Sequence, residues 1–235
     1  MPEKGANDYT VNQIIKDIDM DGHTDVLFKT DNEPSMIAIQ QQVKNRRPHK
    51  TVCENSVRGK SQTNGFIENA NQFVAGQIRT LRCDLQSKLT GKLNRNHPVM
   101  TWLVRYAGVL INMFHIGKDG RTPYERRKGK KAHPNLVDFA EKVLFRPVKA
   151  DKNKLEDTFI EGVFFGINAR NGEYVMGTPE GFHDSRTIRR LVPDRRWEMD
   201  YLNQIRGVPW NLEPDSDNPV RINICLLYTS PSPRD

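Results

Sequence analysis

The sequence has few of the features that mark membrane, secreted or disulfide-stabilised proteins. Its longest apolar stretch, residues 107–116, is interrupted by an asparagine and a histidine and is about half the ~20 residues that a membrane-spanning helix needs. The opening segment, MPEKGANDYT, has no basic start followed by an apolar run, so we expect no secretory signal. The three cysteines, Cys53, Cys83 and Cys225, are widely spaced and predict no disulfide framework. A reducing compartment and no membrane partner are expected.

The charge of the chain is concentrated in its middle third. The formal net charge is +7, with 36% apolar and 28% charged residues, which is typical of a folded globular protein. Residues 1–35 hold 3 basic and 8 acidic residues, residues 36–131 hold 19 and 5, and residues 132–235 hold 14 and 16. A polyanion would relieve the self-repulsion of the middle segment, so nucleic acid is the simplest partner. A solvated basic face, or a nuclear-localisation segment at residues 126–131, is the alternative.

The apolar periodicity predicts alternating helices and strands in the first half of the chain. Helices are expected from a cap at Asn7 or Asp8 to a stop at Gly22, over residues 34–44, for about 25 residues from Thr63, and after a cap at Asn96. Apolar-rich runs at residues 25–30 and 50–54 predict two strands. The long helix from Thr63 carries one apolar stripe, beginning at Ile67, that we expect to be buried.

The second half of the chain has a shorter period. Thr122 and Pro123 are typical of a short helix start. After residue 134, short apolar runs separated by Asn, Gly, Pro and Asp predict a small antiparallel β unit. No sustained period follows residue 193, so residues 194–224 are expected to be irregular. Residues 225–235, CLLYTSPSPRD, resemble a translated sequencing-adaptor tail, and we exclude them from the fold.

Two acidic residues occupy positions that suit a metal site. Asp31 lies at the end of a predicted strand, and Glu68 lies near the start of the long predicted helix. Mg²⁺ prefers hard oxygen ligands, and a strand-end aspartate meeting a helix glutamate would supply them for phosphoryl transfer. Each residue also has an ordinary interpretation. Asp31 can cap a turn or helix, and Glu68 can be an exposed glutamate favoured by the helix dipole.

The motifs around these acids resemble a known family. A strand ending in Thr30-Asp31-Asn32, followed about 35 residues later by an Asn-Gly-x-Ile-Glu-x-x-Asn helix at residues 64–71, is similar to the catalytic core of copia-type retrotransposon integrases, in the ribonuclease H-like superfamily. The TPYE segment at residues 122–125 and the later segments at residues 154–166, 172–174 and 185–186 resemble the same proteins. The resemblance covers roughly residues 8–192.

The resemblance implies a fold and an activity. The fold class is α/β, with a partial ribonuclease H-like core over residues 1–131 and a small SH3-like β-barrel over residues 132–193. The activity would be DNA integration by a polynucleotidyl transferase that uses two divalent cations, Mg²⁺ or Mn²⁺. Asp31 matches the second aspartate of the family, and Glu68 matches the glutamate. Both are therefore candidate catalytic and metal-binding residues.

In the family, the first catalytic aspartate precedes the second by more than the 30 residues that stand before Asp31 in this sequence. We therefore expect an N-terminally truncated fragment that is inactive by itself. A non-catalytic nucleic-acid-binding remnant is the alternative function.

The expected partner is DNA, and a homo-oligomer formed through the helix at residues 99–114 is left open. Localisation is expected to be nuclear or cytoplasmic. The candidate nucleic-acid-binding residues belong to the family motif or to the basic clusters of the middle third. They are Lys60, Asn64, Asn71, Arg79, Arg82, Arg126, Arg127, Lys130 and Lys131.

Overall fold

A computed structural model of the chain describes residues 4–55, 65–135, 137–148 and 158–213. The chain divides into two compact units, one containing the described residues up to Asn55 and the other those from Gly65 onward. The architecture is mixed α/β and includes a closed antiparallel barrel of four strands. The boundary predicted at residues 131 and 132 lies inside the second unit. None of the helices in the described part of the chain is long and apolar enough to cross a membrane.

The first unit has the order helix, strand, helix, strand. Helix α1 spans Asp8–Met20, strand β1 Val26–Thr30, helix α2 Pro34–Arg46 and strand β2 Thr51–Asn55. The two strands pair in parallel, with Val26 opposite Thr51. The side chain of Asn7 accepts a hydrogen bond from the Thr10 N–H at 2.9 Å, which confirms the predicted cap of α1.

The core of the first unit is an aliphatic cluster between its two helices and the sheet. Val11, Ile39 and Val43 are buried, as the helical spacing of apolar residues requires. A polar contact fixes α2 on the sheet: the buried amide of Gln40 donates to the carbonyl oxygens of Phe28 at 2.6 Å and Glu54 at 3.0 Å. The Gln40 side chain therefore attaches α2 to both strands of the sheet.

The second unit begins with three helices. Helix α3 spans Gly65–Lys88, α4 Val99–Phe114 and α5 Pro123–Lys128. The expected cap of α4 at Asn96 is wrong, because α4 begins at Val99 with Pro98 at the N-cap position, and the ring of His97 accepts the Val99 N–H at 3.1 Å. The expected burial of the α3 stripe is wrong at its start. Ile67 is exposed, whereas Ile78 and Leu85 are buried, since α3 is longer than the α4 helix that it packs against.

The barrel follows these helices. Its strands are β3 Lys142–Pro147, β4 Ile160–Ile167, β5 Tyr174–Thr178 and β6 Gly181–Arg190, and pairing of β3 with β6 closes it. These strands confirm the predicted antiparallel β unit.

Helix α4 packs on the barrel through aromatic rings. Trp102 stacks on Phe182 with ring centroids 4.4 Å apart, and Tyr106 stacks on Phe139 at 5.4 Å. Tyr106 also lies 3.1 Å from the position that a Cβ atom would take on Gly166 of β4. A side chain at that position would therefore push α4 away from the barrel.

The segment after the barrel is not wholly irregular, contrary to the expectation for residues 194–224. A 3₁₀ turn at Pro193–Arg195 and helix α6 at Met199–Gln204 follow β6. Leu202, Ile205 and Val208 are almost fully buried. The helix has only six residues, too few for a periodic pattern to be recognised in sequence.

Candidate nucleic-acid interface

Asp31 lies immediately after β1, as predicted, and is exposed. Its Oδ1 atom accepts a hydrogen bond from the backbone N–H of Glu33 at 3.3 Å, which places it in a turn that leads into α2. This contact is the one that the ordinary interpretation of an aspartate before a helix requires. It occupies one acceptor position of the carboxylate, and the other oxygen accepts no hydrogen bond from the described part of the chain.

Glu68 lies in the first turn of α3 and is exposed. It belongs to the second unit, whereas Asp31 belongs to the first, so their pairing stays a prediction. Neither carboxylate forms a salt bridge with a described residue. As oxygen donors both suit a hard divalent cation. Within the described ranges, no group of three or more His, Cys, Asp or Glu side chains is arranged to hold a metal ion.

Helix α3 carries three of the candidate DNA contacts. Asn71 and Arg79 are exposed, and Arg82 is half-buried. Glu68, Asn71, Arg79 and Arg82 lie on one side of the helix, within an arc of about 80° at 100° per residue. Lys60 and Asn64 lie outside the described residues.

Helix α5 divides the four remaining candidates into two kinds. Arg126 forms a two-bond ion pair with Asp119, at 2.5 and 3.0 Å. The Nε and Nη2 atoms of Arg127 are buried. Lys130 and Lys131 are exposed just beyond the helix. The two lysines are therefore better placed to meet a phosphate than the two arginines are.

The start and end of α5 explain this presentation. The Thr122 hydroxyl accepts the Glu125 N–H at 3.1 Å, and the Glu125 carboxylate accepts the Thr122 N–H at 2.7 Å, a reciprocal capping box. These bonds to Thr122 hold the pKa of Glu125 below its usual range. Gly129 ends the helix with φ of 69°, a conformation that glycine adopts without strain. The lysines that follow are thus directed away from the helix.

The described helical part of the second unit contains more unneutralised cations than the candidates alone. Residues 65–131 contain 13 lysines and arginines and four acidic residues. Among the described residues, nine of these cations form no ion pair within 4 Å and no ring contact; Arg105 also lacks an ion pair but lies over the ring of Trp102. The nine are Arg79, Arg82, Lys92, Arg95, Lys118, Arg121, Lys128, Lys130 and Lys131.

Five of these nine, Lys92, Arg95, Lys118, Arg121 and Lys128, were not among the residues expected to contact DNA. Sequence clustering was a signal for all except Lys118, which stands apart from the other basic residues.

The ionic groups of the barrel are organised differently. Glu141 is fully buried and accepts two hydrogen bonds from Arg190, both at 2.7 Å. Lys142, with a side chain only 5% exposed, lies 2.9 Å from Glu161 and 2.8 Å from Glu198. Burial alone would lower the pKa of Lys142, but the bonds to these two carboxylates raise it overall. These charged side chains therefore pair with one another within the second unit.

Three acidic residues near the cationic helices, Asp84, Asp119 and Asp138, are neutralised as well. The Arg126 guanidinium holds the pKa of Asp119 well below its usual range. Lys88 contacts Asp84 at 2.8 Å and Asp138 at 3.2 Å. These three acids therefore offset little of the charge that the nine unpaired cations present.

Comparisons with known proteins give limited similarity. No protein-family model and no curated protein matches the chain. Among solved structures, a cryo-EM structure of the simian T-cell lymphotropic virus intasome in complex with PP2A regulatory subunit B56 gamma is similar at 10% identity and a TM-score of 0.40. The match covers 81% of this chain and 66% of that chain, just under two thirds of its length. At this TM-score the similarity does not establish a common fold.

Proposed function

We propose that this chain binds DNA as an integrase-type polynucleotidyl transferase or a fragment of one. The observation that supports binding is the contrast in pairing within the second unit. Nine of the 13 cations of residues 65–131 form neither an ion pair nor a ring contact with a described residue, whereas five of the nine described cations after residue 136 are ion-paired, namely Lys142, Arg186, Arg190, Arg195 and Arg196. Each phosphate that an unpaired cation neutralises releases condensed counterions, so binding to a polyanion is favourable.

The finer fold assignment is also a proposal. The parallel β1–α2–β2 unit followed by the long helix α3 is the order that a partial ribonuclease H-like core would have. The closed four-stranded barrel is the element that an SH3-like module would supply. The first assignment rests on the motifs at residues 30–32 and 64–71, the second on the segments at residues 154–166, 172–174 and 185–186, and both agree with the element order.

The proposed chemistry is metal-dependent cleavage and joining of phosphodiester bonds. Asp31 and Glu68 would hold Mg²⁺ or Mn²⁺, which would activate the attacking oxygen and stabilise the leaving oxygen. The role of the chain's own residues is to supply two carboxylates and, through Arg79, Arg82, Lys130 and Lys131, to hold the phosphate backbone. Arg126 and Arg127 would support α5 rather than contact DNA.

The binding proposal predicts a steep dependence on salt. Binding of a fluorescent 30-base-pair duplex should weaken as salt rises, with a slope of about 0.9 per phosphate neutralised. Replacing Arg79 and Arg82 by glutamine, or Lys130 and Lys131, should each reduce the slope of log affinity against log salt by about 2. A matched double replacement of Arg186 and Arg195, which are ion-paired on the barrel, should change it little. Absent or salt-independent binding would contradict the proposal.

The metal proposal predicts that substitutions at two residues far apart in the sequence weaken binding of the same metal ion. Mn²⁺ binding, followed by its electron paramagnetic resonance signal, should weaken about tenfold or more in Asp31→Asn and in Glu68→Gln, because each removes a charged oxygen ligand. The double variant should weaken binding by less than the product of the two single effects, because both residues serve one shared site. Asp25→Asn, another exposed acid of the first unit, is the control. Equal Mn²⁺ affinity in all variants would refute the site, whereas duplex binding would persist.

A further inference from the structure

An exposed aromatic surface lies where α3 passes the end of α4. The ring of Phe73 on α3 packs on the ring of His115, just after α4, with centroids 4.5 Å apart. Phe73 is 45% exposed, Phe114 46% and Ile116 65%. We call Phe73, Phe114, His115 and Ile116 the aromatic end. Three large apolar side chains are thus exposed beside His115, Phe73 through its ring contact and Phe114 and Ile116 as chain neighbours, although large apolar side chains are ordinarily covered when they cluster.

The described residues of the second unit do not cover this surface. Residues 67–73 of α3 are all exposed, so this stretch of about 10 Å of helix, at 1.5 Å per residue, lies uncovered by the described residues of the unit. The apolar stripe of α3 continues through it from the buried Ile78 and Leu85. A helix face of this kind is stabilised mainly by what packs on it.

The chain next to the aromatic end is cationic. A turn follows Ile116, closed by hydrogen bonds from the Gly117 N–H to the Arg121 carbonyl at 2.9 Å and from the Gly120 N–H to the Gly117 carbonyl at 3.0 Å. Lys118 and Arg121 are exposed on this turn and form no ion pair with a described residue. Its one acid, Asp119, is already bonded to Arg126. The turn therefore presents positive charge without a competing carboxylate.

We propose that the aromatic end binds unpaired nucleotides of a DNA strand, with bases stacked on Phe73 and Phe114 and phosphates near Lys118 and Arg121; this rests on the proposed DNA-binding function. Exposed aromatic rings beside unpaired cations are the two elements of single-strand recognition. Charge complementarity favours this occupant over a second copy of the chain, which would bring two strongly cationic surfaces together. A duplex would satisfy the cations but would keep its base faces stacked away from the rings.

The test compares two DNA probes with the full chain. Binding of a fluorescent thirty-nucleotide oligothymidine is measured beside binding of a 30-base-pair duplex, for wild type, Phe73→Leu and Phe114→Leu. Leucine keeps the apolar volume and removes the stacking face. Phe159→Leu is the matched control, because Phe159 is a partly exposed ring on the barrel side that lies under Arg189. Thermal unfolding confirms that each variant is folded.

Phe73→Leu and Phe114→Leu are each expected to weaken oligothymidine binding about fivefold or more, the lower end of the loss of one stacked base. Duplex affinity should change less than twofold, and Phe159→Leu should change neither. Unchanged oligothymidine binding with normal duplex binding would overturn this inference alone. Loss of all DNA binding by the wild type would overturn the proposed function too.

Two further measurements keep the inference testable if a variant does not fold. Photo-crosslinking of wild-type protein to iodouracil-substituted oligothymidine should mark Phe73, Phe114 or His115. Crosslinks confined to other regions would overturn the inference. Sedimentation of the wild type and Phe73→Leu, without DNA, tests the other occupant. A dimer that dissociates on substitution would assign the surface to a second copy and also overturn it.

Discussion

At the scale of single residues, His97 holds the start of α4 through its ring. The Nδ1 atom accepts the Val99 N–H at 3.1 Å, so this nitrogen carries no proton and the neutral ring is the form that caps the helix. Burial lowers the pKa of His97, although a hydrogen bond with the Asn203 side chain acts in the opposite direction. The folded protein therefore favours the neutral ring more than the unfolded chain does.

This cap predicts a pH dependence of stability. Below the ordinary histidine pKa of 6.5, the unfolded chain takes up the proton more readily than the folded one. The contribution of His97 is thus fully present above that pH and is lost as pH falls. Thermal unfolding between pH 8 and 5 should show wild type losing more stability on acidification than His97→Asn, which keeps a capping oxygen without a titrating ring. Parallel melting curves for the two proteins would contradict the role of His97.

Single residues also show how far sequence reasoning reaches. The cap at Asn7 was predictable because its partner, Thr10, is three residues away. The choice of His97 over Asn96 was not, since histidine is an uncommon cap. Burial of Glu141 was not predictable either, because Arg190, its main partner, lies 49 residues farther along the chain. Of the candidate site, Asp31 lies at a strand end as predicted, but its pairing with Glu68 depends on two separate units.

At the scale of elements, local signals predicted where helices and strands occur. Helix α5 begins at the predicted Thr122-Pro123, because its cap and its Glu125 partner lie within one turn. Helix α3, expected to have about 25 residues, has 24.

What covers an element was harder to predict. The α3 stripe is buried at Leu85 but exposed at Ile67, because periodicity identifies an apolar face without showing whether a neighbouring helix reaches it. Phe73 of the aromatic end is exposed on the same stretch of α3 as Ile67, although it lies outside the stripe.

At the scale of the whole molecule, the fold as well as the sequence determines which charged side chains remain unpaired. The described helices of the second unit present unpaired cations, while Glu141, Lys142 and Glu161 of the barrel are bound in ion pairs. Net charge along the sequence showed the excess in residues 36–131 but not which cations are neutralised. Pairing depends on contacts such as Lys142 with Glu198, 56 residues apart. The fold therefore determines which basic residues form the cationic surface. Arg126, for example, is basic but is paired with Asp119.

Residues 193–213 form part of the second unit rather than a tail. The Trp102 indole N–H donates to the Gly207 carbonyl at 2.9 Å, a contact between residues 105 positions apart. Tyr201 donates to the Glu161 carbonyl of β4 at 3.0 Å, and Arg195 contacts the Glu161 side chain at 2.5 Å. The segment thus connects α4 to the barrel on which α4 packs.

Deleting this segment should therefore unfold the helices and the barrel together. Truncation after Val192 removes Leu202, Ile205 and Val208, each almost fully buried. Their burial contributes about 2 kcal/mol each, and the total of roughly 6 kcal/mol is comparable to the whole stability of many domains. Truncation after Glu213 is the reference, because it retains all these contacts. Circular dichroism melts should show the longer chain folded and the shorter one without a cooperative transition for this unit. Equal melting temperatures would mean that α4 and the barrel hold together without the segment, and that Trp102 needs no acceptor at Gly207.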